Sequence, residues 1–407
     1  MADELTRLSA ILIFAASYVV IALGRLPGLR LDRAGAALIG ASLMVACGAL
    51  DLGEAYRAID FDTIVLLLGM MIVVANLRLS GFFALLAAAV SRRTRRPLSL
   101  LAATVFVSGF FSAFLVNDTI CLVLTPLVLD LIRALKRNPV PYLLAVAMAS
   151  NIGSAATITG NPQNIMIGSF SGIAYGSFFA ALAPVALAGL VILLVALAIA
   201  FRGEVLGQPL APAAPLPIRA NPPLVRKAVA VTLLMIAAFF LLSPPAKVAI
   251  VAGALLLLTR RLKPERIYRE IDWSLLLLFA GLFIIVAGAE KAVLSPAALA
   301  AAGHLRFDHV AVLSAVAAIL SNLVSNVPAV LVLKPFIQHL ADPRRAWLTL
   351  AMASTLAGNL TVLGSVANLI VVERARRARV EIGFSAYFRL GAPVTVLTIL
   401  IGIWWLA

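Results

Sequence analysis

The chain has 407 residues, of which 63% are hydrophobic and only 13% charged, with a mean hydropathy of +1.07. A soluble domain carries about 45–50% apolar and about 25% charged residues, so this composition excludes an ordinary soluble enzyme or binding module and indicates a chain solvated by lipid. The formal charge of +15 does not point to nucleic acid: the basic residues form short clusters between apolar runs, such as Arg92-Arg93-Thr94-Arg95-Arg96, as in loops that obey the positive-inside bias.

An apolar run of about 20 residues crosses a bilayer as a helix. Spanning helices are expected near residues 8–24, 34–50, 63–79, 147–167, 178–201, 225–243, 246–260, 273–290, 347–370 and 391–406. The first follows an acidic leader and has Arg25, Arg30 and Arg33 behind it, which reads as a retained span with its N-terminus outside, not a cleaved signal. Two further segments, near 98–135 and 309–340, are interrupted by polar patches and read as hairpins that return to their own side. Short interfacial helices at 80–91 and 292–303 lead into them. Six clusters, at 25–33, 92–96, 133–137, 202–227, 260–269 and 374–379, hold 23 of the 33 Lys and Arg residues. With about ten spans and two non-crossing hairpins all six fall on the cytoplasmic side, and both termini face outward. Pro209, Pro212, Pro215, Pro217, Pro222 and Pro223 make residues 203–224 an extended cytoplasmic linker.

That linker separates residues 1–202 from 225–407, and the halves repeat each other. Tyr56-Arg57-Ala58-Ile59-Asp60 matches Tyr268-Arg269-Glu270-Ile271-Asp272, and Gly69 matches Gly281. Ser112 and Asn117 match Ser321 and Asn326, and Pro126 matches Pro335. Ala147-Met148-Ala149-Ser150 recurs as Ala351-Met352-Ala353-Ser354, followed by Thr157, Gly160 and Asn164 against Thr361, Gly364 and Asn368. Each half has an odd number of spans plus a hairpin, so the second half enters the membrane upside down. The expected fold is an all-α polytopic membrane protein of two inverted repeats, with two re-entrant hairpins and two broken helices.

Polar and helix-breaking residues at membrane depth are costly, because lipid cannot satisfy a freed backbone group. The run Ser150 to Asn164, with Asn151, Gly153, Thr157, Gly160, Asn161 and Pro162, and its partner from Thr355 to Ser365, with Gly358, Asn359, Thr361 and Gly364, are therefore candidate binding segments. The hairpin tips, Val116-Asn117-Asp118-Thr119 and Ser325-Asn326-Val327-Pro328, would place helix N-termini at mid-membrane, where unpaired N–H groups favour an anion or an acidic hydroxyl. A carboxylate at that depth costs several kcal/mol unless paired, protonated or wet, so Asp118 is the expected proton carrier. The second tip has Val327 at the matching place. Lys334 is expected to snorkel toward the outer interface, and His304, His309 and His339 to be solvated. Neither Cys nor His shows metal-ligand spacing, Cys47 and Cys121 imply no disulfide framework, and no His-Glu-x-x-His or nucleophile triad supports an enzyme.

Asn117-Asp118 followed by Leu124-Thr125-Pro126, and Ser325-Asn326-Val327-Pro328, resemble the two hairpins of the ion transporter superfamily, in its arsenite permease/NhaD-type branch. Gly160-Asn161-Pro162-Gln163-Asn164 is similar to bacterial anion transporters and plant silicon-efflux relatives in that superfamily. The resemblance covers almost the whole chain. It implies a scaffold and a moving transport domain, with cation or substrate sites at Asn117, Asn151, Gly153, Thr157 and Asn161, and at Asn326, Gly358, Asn359, Thr361 and Ser365. Ser112, Thr119, Gly160, Asn164, Ser321, Ser325, Gly364 and Asn368 complete the candidate set. The expected activity is secondary transport of a small inorganic anion or weak acid (arsenite- or silicate-like) across a bacterial inner membrane, as efflux coupled to protons. Sodium/proton antiport is the near alternative, with sodium held by the same oxygen clusters; sodium-coupled symport of a carboxylate or another anion, and a passive channel, stand behind it. No cofactor is expected beyond protons or sodium as coupling ions. The expected partners are the substrate and the bilayer, with no nucleic acid; a second copy of the chain or an ATPase-type subunit remains open.

Overall fold

The computed structural model describes residues 2–24, 31–210, 220–293 and 306–407. The described chain is helical. The first half runs α1 (Ala2–Leu23), α2 (Arg33–Ala46), α3 (Leu52–Ala58), α4 (Phe61–Ser80), α5 (Phe82–Arg93), α6 (Pro97–Phe114), α7 (Asn117–Ala134), α8 (Val140–Ser154), the 3₁₀ turn Ile158–Gly160, α9 (Pro162–Ser171), α10 (Tyr175–Ala200) and the short α11 (Arg202–Val205). The second runs α12 (Pro222–Leu241), α13 (Pro245–Leu257), α14 (Pro264–Tyr268), α15 (Trp273–Val293), α16 (Val310–Val324), α17 (Asn326–Ile337), α18 (Pro343–Ala357), the 3₁₀ turn Val362–Gly364, α19 (Val366–Arg377) and α20 (Phe384–Leu406). From α12 onward the elements of the first half recur in the same order. Residues 211–219 of the proline-rich linker, most of the interfacial helix expected at 292–303, and His304 lie outside the described residues.

Seven helices are long and apolar enough to cross a membrane, and the chain is a multi-pass membrane protein. Large apolar side chains such as Leu12, Ile199, Leu234, Leu241 and Trp404 are exposed on them, as lipid contact requires. The segments expected as single spans at 147–167 and 347–370 start earlier, at Val140 and Pro343. Proline near the first helical position has no N–H to lose and already holds a helical φ, so Pro141 and Pro343 open helices that hydropathy alone begins later.

Local chemistry sets the other ends. Asp32 caps α2 through Gly35 N, and Asp51 with Glu54 forms a reciprocal capping box on α3. Gly81, at φ +86°, closes α4 and opens α5; this left-handed conformation costs glycine nothing. Lys291 bonds Glu54, tying the end of α15 to α3 and holding the Glu54 carboxyl below its ordinary pKa.

The two halves interlock. Helix α2 lies along α15, and α13 lies along α4. A Cβ on Gly69 would stand 2.5 Å from the Ala249 carbonyl carbon, and one on Gly281 2.7 Å from that of Ala37. These repeat-related glycines let each half's long helix touch the backbone of the other half, as small residues do between membrane helices. A second packed group comprises α6 to α10 and α16 to α20, in which α6 lies on α8, α16 on α18 and α10 on α20.

Candidate functional site

The hairpin arms α6 and α7 meet at Leu115-Val116, and α16 and α17 meet at Ser325. Asn117, Asp118, Ser325, Asn326, Val327 and Pro328 line one cavity of about 50 Å³. Two tips from opposite repeats can share a cavity only if neither hairpin crosses the molecule, so both are re-entrant. Pro162 and Gln163 at the start of α9, and Ser365 and Val366 at the start of α19, face the same cavity. Ile21, Arg33, Leu275, Leu278 and Phe279 close it from the α1, α2 and α15 side.

Both broken helices break in the same way. Helix α8 ends at Ser154, the backbone is extended at Thr157 (φ −136°, ψ 163°), turns through residues 158–160, and is extended again at Asn161. Helix α18 ends at Ala357, Thr361 adopts φ −135° and ψ 163°, and Ser365 is extended. The next helices are capped from within: Asn161 Oδ1 accepts from Asn164 N at 2.8 Å, and Ser365 Oγ accepts from Ala367 N at 3.2 Å.

A broken helix frees carbonyls that lipid cannot satisfy. Asn164 donates its amide to the Ser154 and Thr157 carbonyls at 3.1 and 3.0 Å. Asn368 donates to those of Gly358 and Thr361 at 2.7 and 3.1 Å. These carbonyls occupy matching places in the repeats, which explains an asparagine at both 164 and 368.

The breaks also cross. Asn151 donates to Asn359 Oδ1 and Asn368 Oδ1, and accepts from Asn117 Nδ2 and Ser365 Oγ, all within 2.9–3.1 Å. Thr355, its repeat counterpart, accepts from Asn161 Nδ2 and Gln163 Nε2 and donates to Asn164 Oδ1. Residue 151 thus meets 365 and 368, and residue 355 meets 161 and 164: one arrangement, twice, around a pseudo-two-fold axis. Asn359 also donates to Met148 O, Ser112 shares a hydrogen bond with Ser150, and Thr157 donates to Ala113 O.

Of the residues singled out by sequence, Asn117, Asp118, Ser325, Asn326 and Ser365 line the cavity. Ser112, Asn151, Thr157, Asn161, Asn164, Asn359, Thr361 and Asn368 form the hydrogen-bonded shell behind it. Gly153, Gly160, Gly358 and Gly364 make the close backbone approaches, Thr119 lies beyond the tip on α7, and Ser321 is buried without a hydrogen-bond partner on Oγ. Arg33, Gln163 and Thr355 were missed. Thr355 was within reach, as the repeat partner of Asn151; Arg33 had been absorbed into a cytoplasmic cluster.

A Cβ on Gly153 would overlap the Gly109 carbonyl oxygen on α6. Gly153→Ala is expected to destabilise the protein by about 1–3 kcal/mol through overpacking, against the gain alanine normally gives a helix. Thermal unfolding in detergent checks the sign.

Lys334 lies 3.6 Å from Glu290 and 4.8 Å from the centroid of the Phe170 ring, joining α17 to α15 and α9. Arg78, the repeat counterpart of Glu290, pairs with Glu270. His309 and His339 are exposed. Among the described residues no group of three His, Cys, Asp or Glu side chains could hold a metal ion.

A family model described as citrate transporter matches residues 18–357. An uncharacterised transporter of Mycobacterium tuberculosis is 31% identical over 96% of both chains. The silicon efflux transporter of Oryza sativa subsp. japonica is 31% identical over 93% of both chains. An inner membrane protein of Escherichia coli is 30% identical over 85% of this chain and 87% of its own.

Proposed function

Because the chain belongs to the citrate transporter family, within the ion transporter superfamily and alongside its arsenite permease-type branch, we propose that the cavity between its tips carries a small inorganic anion or weak acid out of the cell in exchange for protons. It is a secondary transporter of the anion type, not an enzyme. One observation carries the finer reading: both tips and the first residues of both half-helices converge on a single cavity of about 50 Å³. One water needs about 10–15 Å³ by the same measure, so the space suits a ligand of a few heavy atoms and is too small for citrate. The likeness to a silicon efflux transporter supports a hydroxylated inorganic substrate. Asp118, the one carboxyl on the cavity wall, would carry the proton. The bacterial inner membrane is its proposed place, with both termini outside.

Sodium coupling is the second reading, favoured by Asn117 Oδ1 and Asn326 Oδ1, which are buried without a hydrogen-bond donor and could ligate a cation. Proteoliposomes decide between them. Uptake of arsenite, silicic acid or a small oxyanion such as dihydrogenphosphate into inverted vesicles should follow an imposed pH gradient and be indifferent to sodium. Flux that tracks a sodium gradient at constant pH supports the second reading, and flux of none of these substrates defeats the first.

A further inference from the structure

Arg33 reaches the cavity from outside the hairpin-bearing group, as the first residue of α2. Among the described residues it is the one cation lining the cavity, and among them it makes no ion pair within 4.0 Å. The side chain is half-buried and lies against Gly24, where a Cβ would stand 3.3 Å from Nε. A guanidinium does not shed its charge, and a partly desolvated cation at membrane depth calls for an anionic partner. The positive-inside role explains arginines that face headgroups; it does not explain one that faces both hairpin tips.

The same cavity carries two further unmet demands. Asn117 Oδ1 and Asn326 Oδ1 are buried and accept no hydrogen bond. An amide oxygen can only accept, so each calls for an O–H or N–H from the ligand. A single small ligand meets all three if it has one negative oxygen for Arg33 and hydroxyls for the two amides. We propose that Arg33 reads the negative charge of the substrate, and that the substrate is a small hydroxylated oxyanion, not a neutral hydroxy acid or a bare cation. This rests on the transporter reading above and narrows it. Asp118 lines the same cavity, close enough for its charge to interact with that of Arg33, so Arg33 offsets the carboxylate as well as the ligand.

The test uses the purified full chain near neutral pH, as wild type, Arg33→Gln and Arg33→Lys. The probes are the anions dihydrogenphosphate and dihydrogenarsenate, each with two hydroxyls, and uncharged silicic acid and arsenous acid are the controls. At least one anion should bind wild type, in thermal shift and in a direct isotherm. Arg33→Gln should weaken it about 10- to 100-fold, the range of a hydrogen bond to a charged group. Arg33→Lys should keep most of the affinity, and any binding of the neutral acids should be unchanged by either substitution. Equal anion affinity in wild type and Arg33→Gln overturns the role of Arg33 and leaves the transporter reading standing. Binding of neither anions nor neutral acids to wild type, together with absent flux, overturns both. If the glutamine protein does not fold, wild type alone decides: its best anion must outcompete silicic acid by more than tenfold, and a preference for the neutral acid overturns the proposal.

Discussion

Asn151→Leu is expected to abolish transport and to lower stability by about 3–6 kcal/mol. Asn151 is fully buried and its amide is saturated: the oxygen accepts from Asn117 and Ser365, and the NH₂ group donates to Asn359 and Asn368. Leucine has the same branching but a larger volume, so overpacking adds to the loss. It leaves four polar groups facing an apolar side chain, and each such orphan costs about 1–3 kcal/mol. The sum falls below four times that figure because the two donors and two acceptors set free can partly pair with one another. Function should fail before folding does. The four partners are one tip residue, the cap of α19, and two side chains around the second break, so a single substitution unfastens the first tip and the second break from α8. Asn151→Thr, which copies the residue standing at 355, should retain part of both properties. Thermal unfolding and initial flux measured on the same preparations check this, and wild-type values for the leucine protein would show that the crossing network does not hold the cavity.

Much of this architecture was legible without coordinates, because membrane burial makes each polar residue informative. The repeat-related pairs Asn117 with Asn326, and Thr157 with Thr361, marked the tips and the breaks, and the matched spacing implied two halves facing one site. What spacing cannot convey is which polar atoms face inward and which serve the backbone. Asn164 and Asn368 looked like ligands, yet each spends its amide on two carbonyls freed by a break. Nothing in a linear run says that a carbonyl three or four residues past a helix end will lack its partner. Arg33 illustrates the opposite failure. Charge bias along the chain sorts arginines by side of the membrane, and by that measure Arg33 resembles Arg25 and Arg30; only the packing of α2 along α15 sets it beside Phe279 and the tips.

Asp118→Asn is expected to separate movement of the substrate from the proton gradient. If one proton enters per substrate exported, a gradient of one pH unit supports about a tenfold accumulation, since one unit is worth about 1.4 kcal/mol and that energy is a factor of ten. The asparagine protein should bring the ratio to about one while still exchanging labelled for unlabelled substrate at equilibrium. Asparagine keeps the shape of the carboxyl and cannot be ionised, so the fold and the cavity wall survive. The asymmetry of the tips is what makes this sharp. Val327 stands where the second repeat would have a second carboxyl, and Asp118 is the one acidic side chain facing the cavity among the described residues, so no neighbour on that wall can take over. Gln163 and the serines nearby have no group that changes charge near neutral pH. Counterflow and gradient-driven uptake in the same proteoliposomes separate the two activities: retained counterflow with lost accumulation places the proton on Asp118, and retained tenfold accumulation places it elsewhere. Loss of both would assign the carboxyl to substrate binding alone, with its ionised oxygen as the acceptor for a ligand hydroxyl.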